Sequence, residues 1–145
     1  WAIGALEVTD AFGRVVPITL RYNTGFLDAA VRASVADCVT FFWRFEDDPL
    51  KGAGGPDPAM EAGLAAMEAA ITAAIPGDGG SLVAVRLGNG MVEYAVAFFS
   101  EAAHESFAGA FEPPEAFFNK FAAQQFAHGH EFWPEYLPPG FETKG

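Results

Sequence analysis

The amino-acid sequence predicts a single α+β domain, and three observations lead to that expectation. Several short stretches either alternate apolar with polar residues or are rich in β-branched and aromatic types, which is typical of strands. One long central stretch repeats apolar residues at helical spacing. The chain has 145 residues, 51% of them hydrophobic, and this length favours one domain over residues 1–145 because two smaller ones would bury little surface.

The first two strands are predicted to form an N-terminal β-hairpin. Alternation runs over residues 1–8, turn-forming residues follow at 9–13, and residues 15–22 are rich in β-branched and aromatic side chains. Pro17 has no amide hydrogen to donate to a neighbouring strand. The second strand is therefore expected at a sheet edge or a bulge, and such an edge is a candidate contact for a homodimer.

The stretch from Val39 to Phe45 is the most apolar strand of the sequence. Side chains alternate along a strand, so Phe41 and Trp43 share one face while Phe42 lies on the other. Aromatic residues on both faces predict an interior strand with a covering layer on each side. A short helix or an irregular link is expected before it, over residues 26–34.

The central helix is the clearest element of the chain. Pro58 suits a first helical position, where its missing N–H costs nothing, and Asp57 can cap the free backbone amides. The apolar residues of this helix recur every three or four positions and form one stripe, which consists of Met60, Leu64, Met67, Ile71 and Ile75. Pro76 and Gly77 are expected to end it.

A second hairpin follows, and its turn sets its register. Residues 81–87 and 91–99 flank Gly88-Asn89-Gly90, and Asn-Gly favours a two-residue type I′ turn. With Asn89 and Gly90 in the turn, Arg86 faces Glu93 across the hairpin. The same register predicts the apolar pairs Val85–Tyr94, Leu87–Val92 and Val83–Val96.

The C-terminal part is rich in phenylalanine and is predicted to be mainly helical. Ser100 can cap a short helix over 101–109, and Pro113-Pro114 can start a second one. That second helix would carry Phe117, Phe118, Phe121 and Phe126 on its apolar face and His128 in its last turn. Residues 130–137 are then left for a final strand. From residue 36 onward, the order strand, helix, hairpin, helix fits a ferredoxin-like split βαβ sheet.

Four of these features together resemble a known bacterial family, domain of unknown function 695. They are Arg21-Tyr22-Asn23-Thr24-Gly25, the strand at 39–45, the striped helix and the hairpin at 82–94, and the match covers roughly residues 16–99. The family is associated with a fold like that of the regulator of ribonuclease activity B, an acidic ferredoxin-like protein that inhibits an RNA-degrading endonuclease by binding it. The resemblance implies a fold and no reaction or catalytic residue. Residues 102–145 depart from the family's pattern.

Charge and composition argue against several functions. Eight basic residues oppose 19 acidic ones, the net charge is −11 and the pI is about 4.5, so nucleic-acid phosphates and anionic lipids would be repelled. The longest stretch without a charged residue, 121–130, is too short to cross a bilayer. No leader is visible in a chain that begins at Trp1, and a cytoplasmic location is expected.

Metal and nucleophile chemistry have little support in the sequence. Glu101 and His104 have the Glu-x-x-His spacing of helical metal sites, and His128 and His130 add two imidazoles. Because the spacing occurs once, these histidines are weak candidates, and neither a metal nor a cofactor is expected. The single Cys38 rules out an internal disulfide, and at the start of an apolar strand it is expected to have no lowered pKa.

Two functional hypotheses remain, and the sequence leaves open whether the protein is an enzyme. The first is a non-catalytic regulatory or protein-interaction domain whose acidic run Glu46-Asp47-Asp48 attracts a basic protein partner. The alternative is a cofactor-free enzyme of the cyclase or isomerase type, or a binder of a small apolar ligand, with an aromatic-lined cavity between sheet and helices. The candidate lining residues are Phe41, Trp43, Tyr94, Phe98, His104, Phe118, Phe121 and Trp133.

Overall fold

The computed structural model describes residues 1–9, 12–44, 58–88, 91–114, 122–126, 132–138 and 140. Within these ranges the strands are β1 (Ala2–Thr9), β2 (Val15–Tyr22), β3 (Asp37–Arg44), β4 (Gly80–Gly88), β5 (Met91–Phe98) and β6 (Ala122–Phe126). The helices are α1 (Ala29–Ala33), α2 (Pro58–Ala74), α3 (Glu101–Ala110) and α4 (Trp133–Tyr136), and a 3₁₀ helix spans Thr24–Leu27.

The six strands form one antiparallel sheet in the order β1-β2-β4-β5-β3-β6. The predicted α+β class is therefore confirmed. The ferredoxin-like split βαβ arrangement is not confirmed, because the sheet is larger than that arrangement requires. No helix in the described ranges is long and apolar enough to cross a membrane.

The N-terminal hairpin is confirmed, and its second strand is not at an edge. β1 and β2 pair in one continuous antiparallel register, and β4 pairs with the other side of β2. The edge position expected from Pro17 is therefore wrong. Pro17 lies one residue beyond the last β2–β4 pair, Ile18 with Gly88, so its missing N–H removes no hydrogen bond of that ladder. β1 is the outer strand instead.

The register of the second hairpin holds near the turn and shifts farther away. Residues 85–87 pair with residues 92–94 as predicted. A β-bulge then places Leu82, rather than Val83, opposite Val96. The predicted Val83–Val96 pair is therefore wrong, because a bulge inserts one extra residue into a strand and turn chemistry carries no sign of it.

Each face of the sheet carries its own core. Helices α2 and α3 cover the first face, where the predicted stripe residues Leu64, Met67 and Ile71 are buried. The second face is covered by Phe26 of the 3₁₀ helix and by a C-terminal segment that buries Phe132, Trp133, Tyr136 and Leu137. β3 lies between β5 and β6 with buried side chains in both cores, so it is the interior strand that the sequence predicts.

The C-terminal part differs from the prediction in two places. Residues 122–126 form β6 rather than the end of a helix, because they pair with the outer edge of β3 and satisfy its backbone groups. Residues 133–136 form α4 rather than a final strand. Pro134 lies in the first turn of α4, where proline favours a helix start and could not have donated to a sheet.

Some predicted residues lie outside the described ranges. These are the acidic run Glu46, Asp47 and Asp48, the aromatic residues Phe45, Phe117, Phe118 and Phe121, the imidazoles of His128 and His130, the cap Asp57 and the turn residues Asn89 and Gly90. Among the partly open surfaces that the described residues form, one lies at the β6 edge of the sheet and one at the β1–β2 side.

Candidate functional site

The first surface, which we call the α3 groove, lies between α3 and the β3–β6 edge of the sheet. Its polar end has a volume of about 320 Å³ and is lined by Asp37, Glu101, His104, Glu105, Ala108 and Gln125. Its apolar end has a volume of about 410 Å³ and adds Val39, Phe41, Phe107, Phe111 and Ala123. His104, Ala108 and Gln125 belong to both ends, so the two form one continuous groove.

Local sequence places the helical side of the groove. Ser100 caps α3, since its Oγ accepts a hydrogen bond from a backbone amide of the first turn at 3.1 Å. The helix therefore begins at Glu101, and residues three and four positions later lie on the same side of it. Glu101, His104 and Glu105 are brought together in this way.

The sheet supplies the remaining polar group. Asp37 begins β3 and lies opposite Phe98 of β5, so these two side chains are neighbours on the face that α3 covers. His104 stacks on the Phe98 ring with centroids 4.7 Å apart and planes 6° apart. Its Nδ1 lies 3.5 Å from Asp37 Oδ2. The imidazole is thus held between a ring and a carboxylate, with 19% of its side chain exposed.

The polar end of the groove is negatively charged. Three carboxylates line it, and none of its described lining residues is Lys or Arg. Glu101 and Glu105 are exposed, whereas the Asp37 side chain is 13% exposed. No group of three His, Cys, Asp or Glu side chains in the described ranges is placed to hold a metal ion. The arrangement favours a cationic organic group from solution.

The apolar end of the groove is a wall of phenylalanine rings. Phe41, Phe107 and Phe111 have mutual centroid distances of 5.1 to 6.0 Å. Rings this close pack against one another and leave no gap for a ligand between them. The groove therefore offers an apolar surface beside its carboxylates, rather than an aromatic cavity.

The second surface, which we call the hairpin–helix cleft, lies between the β1–β2 hairpin and α2. It has a volume of about 450 Å³ and mostly apolar walls, lined by Ile3, Thr19, Arg21, Leu64, Ala65, Glu68, Val85, Leu87, Val92 and Tyr94. Tyr94 donates its phenolic hydrogen to the Leu64 carbonyl at 2.8 Å. Burial raises the pKa of Tyr94 well above its usual value of 10.0, so this phenol stays neutral.

An ion pair bridges the cleft from sheet to helix. The Arg21 guanidinium contacts both carboxylate oxygens of Glu68, with Nη1 at 3.3 Å from Oε2 and Nη2 on Oε1. The same guanidinium lies 5.4 Å from the centre of a Trp1 ring, a favourable cation–π distance. Each charge of the pair is therefore compensated inside the cleft.

A polar cluster on the second face of the sheet joins α4 to the strands. The predicted Arg86–Glu93 pair is present, with Nη1 3.0 Å from Glu93 Oε2 and 3.1 Å from Glu135 Oε2. Tyr136 hydrogen-bonds Thr40 and lies under the Arg86 guanidinium at 5.7 Å. Burial raises the pKa of Glu93 and outweighs the lowering effect of Arg86. Arg86 and Glu93 are largely buried whereas Glu135 is exposed, so the cluster fastens the C-terminal segment to the sheet at the protein surface.

The aromatic residues predicted to line one cavity are divided among several places. Phe41 and His104 lie together in the α3 groove, with Phe98 beneath the imidazole. Tyr94 lines the hairpin–helix cleft, and Trp43 is buried in the core under α2. Trp133 lies on the opposite face, where it stacks on Phe26. The described residues thus do not form one cavity from this set.

Sequence reasoning missed several of the groups that define these surfaces. Asp37, Glu105 and Gln125 complete the α3 groove, and Arg21 with Glu68 bridges the cleft. The sequence does contain a signal for Glu105, since it lies four residues after Glu101 on a predicted helix and therefore on the same side of it. The others depend on strand order and on where each helix packs, which no local pattern reports.

Comparisons with known proteins identify no family for this chain. No family model matches the chain, and neither a curated protein nor a solved structure matches it.

Proposed function

We propose that the protein is a non-catalytic interaction domain that binds a basic segment of a partner protein in the α3 groove. The observation that carries the proposal is the junction of three carboxylates with a phenylalanine wall in one groove. A Lys or Arg side chain matches both parts, because its charged end pairs with carboxylates while its aliphatic stem covers apolar surface.

The three carboxylates contribute differently. Glu101 and Glu105 are exposed, and exposed pairs contribute about 0.2–1 kcal/mol each. Asp37 is largely shielded from water, so its charge is less screened. The net charge of −11 adds a long-range attraction that raises the association rate of a basic partner.

A cofactor-free enzyme is the second candidate, and the Asp37–His104 contact favours it. A carboxylate beside Nδ1 orients an imidazole to act as a general base through its other nitrogen. The variant His104→Gln separates the two functions. Binding of a basic peptide depends on the carboxylates, so its dissociation constant should change less than about threefold in this variant. Catalysis that uses the His104 imidazole as a general base would be lost, because glutamine cannot accept the proton.

We also propose that β4-β5-β3-β6 form a split βαβ core that the N-terminal hairpin extends. The order of these strands supports the proposal, together with the connections through α2 between β3 and β4 and through α3 between β5 and β6. Such a core would relate the chain to domain of unknown function 695.

A cytoplasmic location and a homodimer stay predictions. Because β1 rather than β2 is the outer strand, the homodimer contact is now proposed through β1.

The binding proposal is tested with a fluorescent peptide of alternating arginine and leucine, followed by anisotropy. The double variant Glu101→Gln/Glu105→Gln should weaken binding about three- to tenfold, as expected for two exposed ion pairs. The matched control is Glu7→Gln/Asp78→Asn, which removes two exposed charges outside the groove. Equal weakening by both double variants would overturn the proposal, since the attraction would then come from net charge alone.

A further inference from the structure

We propose that the hairpin–helix cleft is a second binding site, which takes an uncharged and predominantly apolar small molecule. This inference does not rest on the α3 groove, since the two surfaces share no lining residue. The cleft arises because the sheet extends past α2. α2 packs on β4 and β5 through a core that contains Leu64, Val92 and Tyr94, and the β1–β2 hairpin continues the sheet beside it.

The walls of the cleft fit an apolar occupant. Val85 and Leu87 are partly exposed and supply its sheet side, while Val92, Tyr94 and Leu64 lie behind them almost closed to solvent. Ile3 projects from the hairpin side with 74% of its surface exposed. A volume of about 450 Å³ lies within the range of small-molecule sites, roughly 300–1,000 Å³.

The N-terminal hairpin, which lines one side of this cleft, carries exposed apolar side chains. The large hydrophobic side chains that are exposed in the described ranges are Trp1, Ile3, Phe12 and Val15, and all of them belong to the hairpin. Exposed apolar side chains gathered in one region mark a binding surface more often than scattered ones do. Of these, Ile3 lines the cleft itself, and Trp1 lies against the Arg21 guanidinium that lines it.

The charges of the cleft favour a neutral occupant over a charged one. Arg21 and Glu68 already pair at both carboxylate oxygens, so an anion or a cation would have to compete with a partner that each charge already has. The Tyr94 hydroxyl is committed to the Leu64 carbonyl. Thr19 is the remaining polar side chain among the lining residues, and one hydroxyl suits a neutral ligand with a single polar group.

The ligand class is tested with N-phenyl-1-naphthylamine, a neutral probe whose fluorescence rises in apolar sites. We expect saturable binding of one probe per chain. We then expect dodecanol to displace it at a concentration at least tenfold lower than dodecanoate or dodecylammonium. The absence of saturable binding would overturn the proposal, and so would displacement by either charged competitor at the concentration that dodecanol needs.

The location is tested by filling the cleft. Ala65 is an exposed residue of α2 that lines it, and Ala65→Phe should weaken probe binding at least tenfold. Ala66→Phe is the matched control, because Ala66 is also exposed on α2 and does not line the cleft. Equal binding by the two variants would contradict the location. Binding of the basic peptide should be unchanged in Ala65→Phe, so the two proposals fail independently.

Discussion

At the scale of single residues, burial decides the chemistry of Cys38. This thiol is 1% exposed, and its pKa is raised from 9.0 to about 12, chiefly by burial and further by the negative charge of Asp37. The sequence predicts a thiol without a lowered pKa, and that prediction is confirmed. A neutral, enclosed thiol packs as a small apolar group and does not act as a nucleophile.

Reaction with a disulfide reagent such as Ellman's reagent checks this account of Cys38. Below pH 9, a pKa of about 12 in place of 9.0 leaves about a thousandfold less thiolate. We expect the native protein at pH 8 to react at least a thousandfold more slowly than the protein unfolded in guanidinium. Comparable rates in the two states would contradict both the burial and the raised pKa.

The candidate site was only partly predictable from its residues. Glu101 and His104 are neighbours because their spacing places them on one side of a helix. Asp37 joins them because it lies opposite Phe98 in the β3–β5 register. The Phe98 ring stacks under the His104 imidazole, which brings Asp37 close to its Nδ1. A contact of that kind depends on strand register and helix packing together, and the sequence contains no local signal for it.

At the scale of elements, predictions succeeded where a local pattern was strong. The stripe of α2 and the two hairpins follow from periodicity and turn chemistry, and each is present. The sequence predicts the wrong type for β6 and α4 because both are short, with five and four residues. Tertiary pairing decides such segments: β6 exists because the edge of β3 accepts it.

The Arg86 cluster yields a prediction on the docking of α4 to the sheet. Burial raises the pKa of Glu93 above 4.5, while Glu135 also raises it and Arg86 lowers it. The folded state therefore holds a proton that the unfolded state has lost, so the free energy of unfolding falls as pH rises from about 4.5 through the raised pKa. The fall is at most about 1.4 kcal/mol per pH unit for one group.

Denaturant unfolding of the native protein and of Glu93→Gln between pH 4 and 8 isolates this effect. The stability of the native protein relative to the variant should decrease with pH across that window and then level off. Glu7→Gln, which changes an exposed carboxylate on β1, serves as the control for the loss of one acidic side chain. A native protein that gains stability over Glu93→Gln as pH rises would show that Arg86, rather than burial, dominates.

At the scale of the whole molecule, strand order separates the two proposed sites. The α3 groove lies at the β6 edge of the sheet and the hairpin–helix cleft at the β1 side. Composition predicts an acidic protein with an apolar interior, and it does not say where the charge and the uncovered apolar surface lie. The two surfaces share no lining residue, so the proposed basic partner and the proposed neutral ligand would not compete for the same side chains.

Amide chemical-shift mapping tests most directly the proposal that basic segments bind in the α3 groove. ¹H–¹⁵N spectra are recorded while the arginine–leucine peptide is added to the protein. We expect the largest and earliest shifts in residues 101–110 and at the start of β3, and we expect them to weaken as salt is raised. Shifts confined to the N-terminal hairpin, or spread evenly over the chain, would contradict the account.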